Sequence, residues 1–89
     1  MIEFYSAENM YWDLTHEETR LRVLKDGNSI LCRISREAIE ENYDSPQSAE
    51  ACLDAAKQHF EEITDEFAHF IAAGRFEEDS SVLLRSSDW

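Results

Sequence analysis

The stretch TRLRVLKDGNSILCRIS, residues 19–35, decides the fold. Asp26-Gly27 suits a two-residue hairpin turn in which both positions take positive φ, and glycine tolerates that freely. Ser29–Ile34 carries the β-branched Ile30 and Ile34 and alternates between two faces. Folding back at Asp26-Gly27 sets Val23 opposite Ile30, Leu21 opposite Cys32 and Thr19 opposite Ile34, all on one face. The other face collects Arg20, Arg22, Leu24, Leu31 and Arg33. A loop at Gly27-Asn28 would shift the partners and keep the faces.

Upstream lies a competing signal. Thr15-His-Glu-Glu18 fits a helix capping box, and Glu18 with Arg22 would pair at i,i+4 in a helix. The hairpin pattern that follows favours a strand for residues 19–25. Residues 1–5 and 10–14 read as short extended segments, with a turn at 6–9. Downstream, Ser35 is placed to cap a short helix over residues 36–43, with Glu37 in its first turn. Ser45-Pro46 then reads as N-cap and first helical residue of a long helix ending at Gly74. Ala49, Leu53, Ala56, Phe60, Ile63, Phe67 and Phe70 follow 4-3-4-3 spacing, one apolar face laid across the sheet. Val82 and Leu84 alternate with Leu83 and Arg85, a closing strand. The expected fold is therefore α+β: an antiparallel sheet of three to four strands, one short helix and one long helix packed across it, in one domain over 1–89.

Charge narrows the functional classes. With 20 acidic and 8 basic residues the chain carries −12, which repels nucleic acid and anionic membrane. Five of the eight basic residues lie between positions 20 and 36, whereas residues 37–66 hold ten acids and one base. Apolar runs of about four residues fall far short of the ~20 that span a bilayer. The opening MIEFYSAENM has neither a basic nor an apolar signal region, and two cysteines suit a reducing compartment. A cytoplasmic protein with free thiols is the expectation.

Taken together, Trp12-Asp13, residues 21–25, Asp26-Gly27, Cys32-Arg33-Ile34-Ser35 with Ala38-Ile39, a helix with Phe60 and Ile63, and Val82-Leu83-Leu84 with Ser87-Asp88 resemble the DUF1488 family of small bacterial proteins. The resemblance implies an α+β domain and supports a strand over residues 19–25. It implies no activity and no site residues.

Three groups of residues carry chemistry worth weighing. Cys32 stands three residues before a helix start, yet it falls on the inner hairpin face, where a cysteine is a buried and inert apolar side chain. His59, Glu62, Glu66 and His69 follow 3-4-3 spacing, and Glu66-Phe-Ala-His69 matches a pattern of di-metal helical bundles. One helix supplies too few ligands for such a site, so a solvated flank is the simpler expectation. Arg20, Arg22 and Arg33 form a candidate anion site, since guanidinium forks bind carboxylate and phosphate. The simpler expectation is that these arginines pair with Glu17, Glu18 or helix acids of the same domain.

No glycine-rich phosphate loop and no nucleophile, histidine and acid arrangement is present, so enzymatic activity and a cofactor are not expected. The leading expectation is a small acidic cytoplasmic module acting by protein–protein contact, with a basic protein as partner and a homodimer through the long helix compatible with the pattern. The alternatives are an anion- or metal-binding protein using the arginine face or the His/Glu stripe, and a mimic of nucleic-acid charge using the acids of residues 37–66.

Overall fold

The hairpin forms in the expected register. A computed structural model of the chain describes residues 2–4, 7–43, 48–85 and 88. Strands β1 (Ile2–Phe4), β2 (Tyr11–Asp13), β3 (Glu18–Lys25) and β4 (Asn28–Ser35) are followed by helices α1 (Arg36–Asn42), α2 (Ala49–Gln58) and α3 (Phe60–Ala72), then strand β5 (Val82–Leu84). A single 3-10 turn, Ala7–Asn9, separates β1 from β2. Asp26 and Gly27 take φ of 52° and 84°, and β3 pairs with β4 as Val23↔Ile30, Leu21↔Cys32 and Thr19↔Ile34. The capping-box alternative at residues 15–18 is not used, since Glu18 already begins β3.

Among the described residues the five strands fill four lanes. Both β1 and β2 pair antiparallel with β3 along the same edge, β2 at its start and β1 at its end. The closing strand departs from expectation: β5 runs parallel to β4, with Cys32↔Val82 and Ile34↔Leu84. A parallel neighbour needs a long crossover, and α1, α2 and α3 supply it. The sheet is therefore mixed, not wholly antiparallel.

The single long helix is also corrected. It is broken at His59, whose φ of −107° and ψ of 29° leave the helical region. A continuous helix over the expected span would be roughly 40 Å long, longer than the molecule's greatest extent of 36 Å. The break lets α2 lie against β2 and β3 while α3 lies against β5. The expected start at Ser45-Pro46 lies outside the described residues. The cap of α2 is Ser48, whose Oγ accepts a bond from the Ala51 N–H at 3.1 Å. The stop at Gly74 is as expected. Its φ is 72°, and the N–H groups of Gly74 and Arg75 bond back to the carbonyls of Ile71 and Phe70.

One core joins these elements. Leu21, Val23, Cys32 and Ile34 from the hairpin meet Cys52 and Ala56 of α2, Ile63, Phe67, Phe70 and Ile71 of α3, and Val82 and Leu84 of β5. Leu53 and Phe60 pack at its margin. Thr19 adds a polar side chain to the inner face of the hairpin. It is fully buried, and its Oγ1 finds no hydrogen-bond partner among the described residues. A buried hydroxyl without a partner is costly. Thr19→Val should therefore raise stability by about 1 kcal/mol in urea denaturation, and a loss of stability would show that the hydroxyl is satisfied.

Candidate functional site

Pairing in the hairpin puts Arg20 directly opposite Arg33. Two like charges facing each other across strands repel, so a counter-charge is required. Glu18 supplies it from the same face, two residues before Arg20 and diagonal to Arg33. Its Oε2 accepts from Arg20 Nε at 2.7 Å and from Arg33 Nε at 2.6 Å, and its Oε1 accepts from Arg33 Nη2 at 3.0 Å. The Arg33 contact is a two-point fork, the strong geometry for this pair. Glu18 is 4% exposed, a buried carboxylate that alternates onto the sheet face opposite Leu21 and Val23.

The network extends on both sides. Arg33 Nη1 donates to Ser81 Oγ at 3.1 Å, and the Ser81 hydroxyl and N–H both donate to Asp79 Oδ1. Thus β3, β4 and the entry to β5 are tied together. On the other side Asp13 Oδ2 accepts from the His16 N–H at 2.9 Å, meets His16 Nδ1 at 2.6 Å and lies 3.4 Å from Arg20 Nη2. The His16 bond, followed by the nearby charges of Arg20 and His16, holds the Asp13 carboxyl below the ordinary range.

Beside this clamp opens a cleft of about 760 Å³. It lies where β4 and β5, the parallel pair, reach their carboxyl ends and α1 departs. Crevices at the carboxyl ends of parallel strands are natural ligand sites, because the chain leaves the sheet there and side chains converge. Four acids, Glu17, Glu18, Glu37 and Glu40, line it together with Arg36, Arg85, His16, Ser35 and Leu83. Arg36 bridges Glu17 at 3.0 Å and Glu40 at 2.6 Å, and Arg85 pairs with Glu77 outside the lining. Glu37 is exposed and enters no ion pair among the described residues.

The expected site residues fall as follows. Arg20 and Arg33 are brought together but spend their donors on Glu18, while Arg22 is exposed and bonds Ser29 Oγ at 3.3 Å. His59, Glu62, Glu66 and His69 are not drawn together. The His59 ring stacks on Tyr43 at 4.0 Å, its Nδ1 is 3.7 Å from Glu62, and His69 is exposed. Burial, then the charge and hydrogen bond of Glu62, push the Tyr43 phenol upward. Among the described residues no three His, Cys, Asp or Glu side chains converge as metal ligands. Cys32 is fully buried and its thiol is pushed up to about 12 by burial alone. Cys52 is likewise buried and raised.

The fold and site define an α+β domain whose helices cover one sheet face, with an open acidic cleft at the sheet's end. The family model described as "Protein of unknown function (DUF1488)" matches residues 2–84, and the chain belongs to that family. A crystal structure of a DUF1488-family protein of unknown function from Shewanella loihica PV-4 is similar, with a TM-score of 0.84 at 19% identity, over 93% of this chain and 90% of that one. At that identity the likeness shows the fold. No curated protein matches this chain. Among the described residues no helix is long and apolar enough to cross a membrane.

Two outcomes follow from the buried groups. Burial raises the Glu18 carboxyl, but the hydrogen bonds and charges of Arg33 and Arg20 outweigh it and hold the group below the ordinary 4.5. A depressed folded value means the clamp contributes fully above the unfolded value and is lost as pH falls through the folded one. Denaturation curves should therefore show stability falling below about pH 4.5. Glu18→Gln should be about 3 kcal/mol less stable near neutrality and less sensitive to acid in that window; parallel pH profiles would contradict the clamp. Separately, an aromatic disulfide reagent should label Cys32 only as fast as the protein unfolds, and rapid labelling of the native protein would contradict its burial.

Proposed function

We propose that this chain is a small acidic binding module acting by protein–protein contact, and that its partner presents a basic segment to the cleft at the ends of β4 and β5. The observation that carries this reading is the composition of the cleft wall. Of the four carboxylates lining it, Glu18 is held by Arg20 and Arg33, Glu17 and Glu40 share Arg36, and Glu37 is exposed and enters no ion pair among the described residues. An incoming ammonium or guanidinium meets Glu37, unpaired among the described residues, beside Glu17, which shares Arg36 with Glu40. The chain's net charge of −12 adds a long-range field that draws a basic partner in. The role is binding without catalysis, in the cytoplasm.

The test is retention of proteins from native cytoplasm on the immobilised chain and on two charge reversals. Wild type should retain a basic protein at low salt and release it as ionic strength rises and the screening length contracts. Glu37→Arg should lose that protein, while Glu61→Arg, on the exposed face of α3, should keep it. Retention indifferent to Glu37→Arg, or equal loss in both variants, would overturn the assignment to the cleft.

A further inference from the structure

We propose that Leu14 is the apolar anchor of this cleft, and that the basic segment it takes up carries an aliphatic residue beside its cation. The inference rests on the cleft reading above and deepens it.

Leu14 is 82% exposed, twice the exposure of Tyr11 at 43% or Phe76 at 41%, the other exposed large apolar side chains among the described residues. It opens the turn of residues 14–17 between β2 and β3, and His16 and Glu17 of the same turn line the cleft. The leucine itself is not part of the lining, but it lies on the same turn, two residues before His16. Its turn is braced by local contacts. Asp13 and Glu18 pair at the turn's base, Asp13 Oδ2 accepts from the His16 N–H, and Glu17 is fixed at a left-handed φ of 50°. A side chain on such a turn is displayed before any partner arrives, so little ordering is left to be done on binding.

Charge selects the occupant. The acids of the lining favour a cationic segment, and inside the cleft Leu83 is the aliphatic lining residue that a partner's apolar side chain meets. A second copy of the chain brings its own −12 and is repelled. A polypeptide stretch that alternates basic and aliphatic residues satisfies both Glu37 and Leu14. Burying one leucine on association is worth about tenfold in affinity.

The probes are two end-blocked pentapeptides, one alternating arginine with leucine and one alternating arginine with serine, titrated into the labelled protein while amide shifts are followed. Both should perturb Glu17 and Glu37, with the leucine peptide binding about tenfold more tightly. Leu14→Ser, an exposed substitution that leaves the fold intact, should erase that preference and keep the affinity for the serine peptide. Equal binding of the two peptides, or a preference that survives Leu14→Ser, overturns the anchor and leaves the cleft standing. Silence at Glu17 and Glu37 with both peptides overturns the cleft reading and the anchor with it. A wild-type dimer in ultracentrifugation that Leu14→Ser dissolves would replace the basic segment by a second copy and overturn the proposal.

Discussion

A carboxylate buried between two guanidiniums is the constraint on which the rest of the structure depends. The hairpin register that buries Leu21, Val23, Cys32 and Ile34 on one face necessarily sets Arg20 against Arg33 on the other. Without Glu18 that face would hold two adjacent cations at low exposure. With it, the repulsion becomes a three-centre bond joining β3 to β4. The apolar face and the ionic face therefore fix the same register from opposite sides. Slipping the pairing by one residue would turn one strand's apolar set outward and set Arg20 and Arg33 on opposite faces, where they could no longer share Glu18.

The clamp also shapes the cleft. Arg33 reaches past Glu18 to Ser81, and Asp79 holds Ser81, so the entry to β5 is tied to the hairpin. With β5 seated parallel to β4, the carboxyl ends of both strands lie together beside the start of α1. Glu37 and Glu40 on α1 then face Glu17 and Glu18 at the turn and the head of β3. An acidic cleft is thus the geometric consequence of a hairpin, a helical crossover and a parallel return. The helices serve it indirectly by covering the inner face with Phe67, Ile63 and Ile71.

Local signals made the hairpin legible. Asp26-Gly27 and strict alternation specify a turn and two faces, and both are properties of neighbouring residues. Ser35 was legible as a cap for the same reason, and its Oγ accepts from the Ala38 N–H. The apolar stripe from Ala49 to Phe70 correctly named the face that packs, but spacing cannot see a break at His59. The interruption falls at His59, whose ring stacks on Tyr43, a contact between residues sixteen positions apart. The direction of β5 was hidden for a similar reason, since a three-residue strand pairs either way until the crossover is known. The cleft is not legible in the sequence because its walls come from three separate segments, within residues 16–18, 35–40 and 83–85. Only Arg36 with Glu40, an i,i+4 pair, left a trace in the sequence. The arginine cluster and Glu18 as one of its expected partners are legible in the sequence; that Glu18 serves both Arg20 and Arg33 follows from the register.

The most direct measurement is a carbon-detected NMR titration of the Glu18 side-chain carboxyl in the folded protein. A midpoint clearly below the ordinary glutamate value of 4.5 is what the paired, ionised clamp requires. A midpoint at or above that value would mean that burial prevails over the two arginines, and the account of the register, the tie to β5 and the cleft would lose its foundation.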